Sequence, residues 1–279
     1  RYWRLTALES FDGRQWRQKR QYTDADELGA VNGDELVQEF TIASLGSIWM
    51  PSALTPTGVR SSVRVRFNAE LASLIRARGD LFTGLSYTVS SRPPVITPDV
   101  LNATSSSSPP ADDYTALPDD FPGELRDLAA QITSGASDDY ARSLALQNYF
   151  RDNFTYEVNV PRGHSDRAME SFIRAKQGYC EQFAGTFAAL GRAVGLATRV
   201  AVGFTPGDLD DAGVYHVRGK HAHAWPEVWF DGIGWVPFEP TPGRGDGSTT
   251  IFTGVQAQQD GGVLTGPADS ATPGQSDNG

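Results

Sequence analysis

This 279-residue sequence has one cysteine, fewer basic than acidic residues and no long apolar run, and each of these features excludes a structural or functional possibility. The single cysteine, Cys180, excludes an internal disulfide. Lys and Arg number 24 against 34 Asp and Glu, and the net charge of -10 argues against nucleic acid or an anionic membrane surface as the main partner. No run of about 18 apolar residues occurs, so no segment of this sequence is predicted to span a bilayer.

Composition divides the chain into four predicted sections. Residues 1–91 are predicted to form a small, mostly β domain, and residues 92–120, rich in proline and serine, a linker. Residues 121–243 change from helical to strand-like periodicity, which indicates an α+β domain of helices packed on an antiparallel sheet. A fragment from about Phe121 is therefore expected to stay folded after cleavage of the linker. Residues 244–279, a polar tail, are predicted to be disordered.

The termini and the local patterns of the first section give further expectations. The sequence starts at Arg1 without a signal-peptide pattern, and we interpret it as a region excised from a longer protein. Alternation over 61–67 and over 85–89 predicts strands. Leu71, Leu74 and Ile75, in contrast, have the spacing of a short helical turn.

The segment 178–195, GYCEQFAGTFAALGRAVG, contains Cys180 and has the spacing of a helix with one buried face. Gly195 is suited to a left-handed helix stop. The pattern places Cys180 at the helix N-terminus, where free N–H groups and partial positive charge favour a thiolate and could receive an oxyanion. On this segment alone, Cys180 could equally be a small buried hydrophobe.

The histidines that could serve the cysteine follow the helix. His216, His221 and His223 lie close together in sequence, whereas His164 precedes a helix and is interpreted as exposed. A strand packed on the cysteine helix could bring one imidazole beside the sulfur as its base. The same histidines could instead bind a metal, since His221 and His223 form an H-x-H pair. No fixed metal motif is present, however, and we predict neither a metal nor a cofactor.

A base needs an acceptor that fixes its tautomer, and three carboxylates are available. Glu239 ends the strand that follows a predicted hairpin and could reach back to the histidine. Asp231 lies in the hairpin turn and is expected to be solvated. Glu227 shares the strand of His223 but lies roughly 13 Å from it, too far for a direct bond.

These residues resemble a known family. The strings GYCEQFA and HAHAWPEVWFDGIGWVPFEPT are similar to the transglutaminase-like superfamily of papain-fold thiol enzymes, and most similar to its bacterial membrane-anchored members. The resemblance covers roughly 121–243, with a looser likeness at YWRLTALESFDGRQW. It implies that Cys180 is the nucleophile, His223 the base and Glu239 the orienting carboxylate, where the family usually has Asp.

The resemblance implies acyl transfer from a glutamine-type carboxamide of a protein or peptide to an amine, on the outer face of the plasma membrane. No calcium-binding loop is visible in the sequence, and we predict independence from calcium. Water in place of the amine would make the same residues a peptidase or amidase, and a non-catalytic scaffold that binds an envelope partner is the alternative from another class. The Cys180 backbone N–H is a candidate oxyanion donor, with Gln177 as a weak candidate for the second.

Overall fold

The fold is described from a computed structural model, which covers residues 1–18, 22–25, 28, 34–161, 163, 165–259 and 262–263. The predicted exposure of His164 and half of the predicted disordered tail lie outside these residues. Within them, no helix is both long enough and apolar enough to cross a membrane.

Strands dominate the first third of the chain, as the alternation predicts. They are β1 (Trp3–Leu8), β2 (Ser10–Phe11), β3 (Trp16–Arg17), β4 (Thr23–Asp24), β5 (Leu36–Thr41), β6 (Trp49–Met50), β7 (Pro56–Ser61), β8 (Val65–Asn68), β9 (Ser73–Arg76) and β10 (Ser86–Ser91). One sheet has the order β5-β10-β7 and another β4-β8-β9-β6. Their inward side chains, among them Met50, Leu74 and Val89, form a core of their own.

The short helix suggested by Leu71, Leu74 and Ile75 is not formed. Leu74 and Ile75 belong to β9, where they pair with Met50 and Trp49 of β6. Apolar residues three and four apart also occur where a loop enters a buried strand, and the cross-strand partners decide the structure here.

Helices followed by strands form the rest of the chain. The helices are α1 (Pro98–Asn102), α2 (Gly123–Thr133), α3 (Asp139–Asn153), α4 (Asp166–Ala175), α5 (Cys180–Ala193) and α6 (Thr250–Thr253). The strands are β11 (Thr155–Tyr156), β12 (Gln177–Gly178), β13 (Thr198–Phe204), β14 (Asp208–Leu209), β15 (Tyr215–His216), β16 (Ala222–Phe230), β17 (Gly234–Pro237), β18 (Gln258–Gln259) and β19 (Gly262–Val263). The α+β prediction for this region is confirmed.

Helix α5 is the centre of the larger core. It packs on β13 and β16 on one side and on α2 and α3 on the other. Phe183, Phe187 and Leu190, the residues that gave the helical spacing, are fully buried, and burial of each such side chain contributes about 1.5–3 kcal/mol. Gly195, with φ 89°, follows the helix and provides the predicted left-handed stop.

The sheet under α5 includes the start of the chain. Its order is β1-β13-β16-β17 with antiparallel pairing throughout, so β1 lies along β13 although about 195 residues separate them. The predicted boundary at residue 91 therefore divides this sheet, and the interpretation of 1–91 as a separate β domain needs correction for β1. Period-two alternation predicts a strand but does not name its partner.

Two further predicted sections make ordered contacts. In 92–120, Leu101 and Tyr114 are fully buried, and Tyr114 packs on Trp235 with ring centroids 4.6 Å apart. In the predicted tail, the described residues 244–259 contain α6 and bury Phe252 against the larger core. Disorder is therefore wrong for 244–259, where a few apolar side chains anchor an otherwise polar segment.

Candidate active site

Cys180 is the first residue of α5 and is largely buried, with 8% of its surface exposed. The preceding turn is fixed by Gln182, whose Oε1 accepts from the Tyr179 N–H at 3.4 Å and whose Nε2 donates to the Pro161 carbonyl at 3.2 Å. Gly178 makes room for this arrangement, because a Cβ there would lie 2.5 Å from Gln182 Oε1. The Gly-Tyr-Cys sequence thus sets the thiol at the helix N-terminus.

His223 lies near the start of β16, directly under α5, and only 3% of its surface is exposed. Its Nε2 is 2.7 Å from Glu239 Oε2. His223 Nδ1 has no hydrogen-bond partner among the described residues and is therefore the ring nitrogen available to the sulfur, and the nearby Cys180 contributes to the raised pKa of the ring. The structure thus brings Cys180, His223 and Glu239 together.

Glu239 reaches His223 because β17 returns beside β16. Trp229 pairs with Trp235 in this hairpin, and the chain beyond β17 passes back toward the start of β16. Glu239 Oε1 also accepts from the Thr241 N–H at 2.8 Å. The longer glutamate side chain, in place of the aspartate usual in the family, therefore reaches the imidazole in this backbone.

Helix α3 holds the backbone around Glu239. The buried Gln147 accepts from the Glu239 N–H at 3.1 Å and donates to the Thr253 carbonyl at 2.9 Å. Arg151 Nη1 donates to the carbonyls of Glu239 at 3.1 Å and of Thr241 at 2.8 Å. The sequence offers no signal for these contacts, since a polar residue on a helix predicts solvent exposure unless its partner is known.

The buried pair shifts the pKa of both partners. Burial alone would lower the pKa of His223, but the charge of Glu239 and the interactions with Cys180 and Glu239 outweigh it and raise that pKa to about 9. Burial alone would raise the pKa of Glu239, but the charge of His223 and the donors around the carboxylate lower it below its ordinary value. The arrangement favours an imidazolium next to the sulfur at neutral pH.

The other two candidate carboxylates are engaged elsewhere. Glu227 is buried between Arg4 and Arg199, and its Oε2 accepts from Arg199 Nε at 2.6 Å. Asp231 lies in the hairpin turn and accepts from the serine-rich segment, including the Ser107 hydroxyl at 2.7 Å and the Ser108 N–H at 2.9 Å.

The remaining candidates also lie outside the contacts that join Cys180 to His223. His216 pairs with Asp210 at 2.8 Å on an exposed hairpin, and the buried His221 accepts from the Arg218 N–H at 2.9 Å. Gln177, the weak candidate for an oxyanion donor, is exposed on β12. Among the described residues, no group of three or more His, Cys, Asp and Glu side chains is arranged to bind a metal.

One neighbour of the pair comes from the other end of the chain. The Tyr2 hydroxyl donates to Glu239 Oε2 at 2.7 Å, and its ring meets that of His223 edge-on with centroids 5.1 Å apart. Sequence reasoning missed Tyr2, although it lies in the segment whose looser likeness to the family was the available signal.

Comparison with known families agrees with this architecture. Residues 126–240 match the transglutaminase-like superfamily, and residues 1–98 match the TgpA N-terminal domain. The chain thus carries a transglutaminase-like core preceded by a TgpA N-terminal domain. It is homologous to the periplasmic domain of TgpA from Pseudomonas aeruginosa, whose crystal structure aligns with a TM-score of 0.68 and 26% identity over 91% of this chain and 85% of that one.

Two curated proteins are also similar. The protein-glutamine gamma-glutamyltransferase of Pseudomonas aeruginosa is 28% identical over 245 residues, which are 86% of this chain and 35% of the relative. The uncharacterized protein YebA of Bacillus subtilis is 32% identical over 197 residues, 65% of this chain and 27% of the relative. The chain therefore spans about a quarter to a third of the length of these relatives.

Proposed function

We propose that this chain is a thiol-dependent acyltransferase for glutamine-type carboxamides, with Cys180 as nucleophile, His223 as base and Glu239 as the residue that orients His223. The observation that carries the proposal is the 2.7 Å bond between His223 Nε2 and Glu239 Oε2, in a buried ring whose pKa is also raised by the neighbouring Cys180. A nucleophile, a base and an orienting acceptor are the parts that such a reaction requires.

The proposed reaction proceeds in two steps. The Cys180 thiolate attacks the carboxamide carbon, the His223 imidazolium gives its proton to the departing nitrogen, and ammonia leaves a thioester on the sulfur. An amine then attacks the thioester carbon while His223 takes its proton, which forms an isopeptide bond and frees Cys180. The Cys180 backbone N–H, at the first position of α5, is the proposed donor to the oxyanion in both steps.

The proposed location is the extracytoplasmic face of the plasma membrane, as a region of a membrane-anchored parent protein. Its support is the homology to a domain described as periplasmic. The proposed substrates are proteins or peptides that carry a glutamine amide, with a protein or small amine as acceptor. The name of the glutamyltransferase relative supports this substrate class.

Acyl-enzyme formation tests the proposal without knowledge of the natural substrate. An activated ester should label the protein at Cys180 with a mass change in the intact chain, and Cys180→Ala should abolish it. His223→Ala should slow labelling about 100-fold or more, since a positioned base contributes at least that much. Glu239→Gln should leave a measurable rate of labelling, and Glu239→Asp should keep a higher rate because it preserves the negative charge. Glu239→Asp should still label more slowly than wild type, since the shorter side chain must reach farther to His223.

The same variants separate the alternatives. A Cys180 thiol that reacts no faster than a free thiol near pH 7, with no acyl-enzyme, would favour the non-catalytic scaffold. If acyl-enzyme forms, ammonia release from a glutamine peptide should rise when a primary amine is added, and the amine should be incorporated. Ammonia or peptide release without incorporation would assign the chain to the amidase or peptidase alternative.

A further inference from the structure

Tyr2 contacts the proposed catalytic pair through its hydroxyl and its ring. The hydroxyl donates to Glu239 Oε2, the same oxygen that faces His223 Nε2. The ring lies against the ring of Trp225, with centroids 5.0 Å apart, as well as against His223. Tyr2 itself is 6% exposed, so water does not compete freely for the hydroxyl.

The Glu239 carboxylate is held at both oxygens. Oε1 accepts from the Thr241 N–H at 2.8 Å, while Oε2 accepts from Tyr2 and from His223 at 2.7 Å each. A terminal carboxylate torsion is soft, so a carboxylate held by the imidazole and one backbone donor alone would turn more easily. The Tyr2 hydroxyl adds a third donor to the carboxylate and fixes the direction of the Glu239 Oε2 lone pair that faces His223.

The place of Tyr2 is determined by strand β1 rather than by the transglutaminase-like core. β1 begins at the next residue, Trp3, which pairs with Phe204 at the end of β13. The Tyr2 backbone N–H donates to Asp246 Oδ2 at 3.1 Å, and this bond holds the Tyr2 backbone in place ahead of β1. The segment that matches the transglutaminase-like superfamily, 126–240, therefore contains the three proposed catalytic residues but not this donor.

The structure points to Tyr2 as a positioning residue for the proposed reaction: it orients and stabilises the ionised Glu239, and through it the His223 imidazolium. This inference rests on the proposed function and adds a role for the N-terminal segment. Burial, with the nearby Glu239 charge, holds the pKa of Tyr2 well above its usual value, so the hydroxyl keeps its proton over the pH range of an assay.

Tyr2→Phe tests the role, since it removes the hydroxyl and keeps the ring against His223 and Trp225. The midpoint of Cys180 alkylation against pH should rise by about one pH unit, the equivalent of a tenfold weaker thiolate–imidazolium pair. In the Glu239→Gln background the same substitution should add no further shift, because Tyr2 acts through Glu239.

The matched control is Tyr87→Phe. Tyr87 is also buried, and its hydroxyl donates to the Pro51 carbonyl at 3.0 Å in the separate N-terminal core. It should lower stability in a similar way and leave the alkylation midpoint unchanged. If Tyr2→Phe behaves like Tyr87→Phe, or shifts the midpoint equally with and without the Glu239 carboxylate, Tyr2 only packs and the inference is overturned.

A measurement without the thiol separates this inference from the proposed function. In folded Cys180→Ala protein, the His223 ring can be titrated by NMR with and without the Tyr2→Phe change. A lower His223 pKa in the double variant supports the positioning role even if the intact protein forms no acyl-enzyme. An unchanged His223 pKa contradicts the role even if acyl-enzyme forms.

Discussion

Glu227 gives the sharpest test of which carboxylate orients His223, the proposed base for Cys180. It is 1% exposed and lies between Arg4 and Arg199, which are 2% and 0% exposed. Both guanidinium groups bond its carboxylate and also donate to backbone carbonyls, Arg4 to that of Leu71 and Arg199 to that of Glu70. One buried negative charge thus compensates two buried positive ones.

Replacing Glu227 by Gln should lower the free energy of unfolding by about 3–5 kcal/mol, the usual result of breaking a buried ion pair from one side. Burial already lowers the pKa of Arg4 to about 10 despite the opposing effect of Glu227, so loss of the carboxylate leaves a charge that is poorly accommodated. The ring of Trp235, 4.1 Å from Arg199, remains and offsets only a small part of the loss. The change consumes a large share of the roughly 5–15 kcal/mol that stabilises a typical domain.

The measurement is urea unfolding of wild type and Glu227→Gln. The slope of the unfolding free energy against urea concentration should be the same for both proteins, so that a change in midpoint reports a change in stability. Asp24→Asn is the matched control, because Asp24 also pairs with two arginines, Arg64 and Arg66, but with exposed side chains. It should cost less than about 1 kcal/mol.

The catalytic assignment adds a second readout to this experiment. Folded Glu227→Gln protein should keep the wild-type midpoint of Cys180 alkylation, whereas Glu239→Gln should raise it. Two results together would refute the reasoning: a small loss of stability in Glu227→Gln, and a larger shift of its alkylation midpoint than in Glu239→Gln. Glu227 would then be the carboxylate that orients His223.

Two further predictions concern the pair and the first strand. The pKa of His223 rises on folding from about 6.5 to about 9, so its stabilising contribution, roughly 3 kcal/mol at most, is present below pH 6.5 and lost as the pH rises through 9. Unfolding measured from pH 6 to 10 should show this decline in wild type and a smaller one in Glu239→Gln. In Gly203→Ala, the new Cβ would lie 2.0 Å from the Trp3 carbonyl oxygen. It should displace β1, lower stability and raise the alkylation midpoint as Tyr2→Phe does; a neutral result would contradict the close approach of these strands.

Local sequence pattern was sufficient for the elements that form the site. The spacing after Cys180 predicted α5, because apolar residues every three to four positions form a continuous row along a helix. The expectation of a single buried face was wrong, since β13 and β16 as well as α2 and α3 pack on the helix and bury nearly all of it. The turn at Asp231 predicted the hairpin of β16 and β17, and hairpin register then returns Glu239 toward His223. These are short-range relations, which sequence spacing can express.

Long-range relations were not predictable in the same way. The serines at 105–108 suggested a linker by composition, yet Ser105, Ser107 and Ser108 donate hydroxyl or N–H groups to the Asp231 carboxylate. A serine-rich segment is flexible only when no acceptor is positioned for it, and the acceptor here lies more than 120 residues away. The buried contacts of Arg4 with Glu227 depend equally on a strand pairing that sequence spacing does not encode.

The same strand pairing bears on how self-sufficient the transglutaminase-like core can be. A fragment that starts near Phe121 would lack β1, so the outer edge of β13 would lose its backbone partners. It would also lack Arg4, which bonds Glu227, and Tyr2, which bonds Glu239. The first loss affects the sheet, the second a buried ion pair and the third the proposed catalytic carboxylate. The N-terminal segment therefore belongs to the physical unit that holds the site, although it is the part of the chain farthest from Cys180 in sequence.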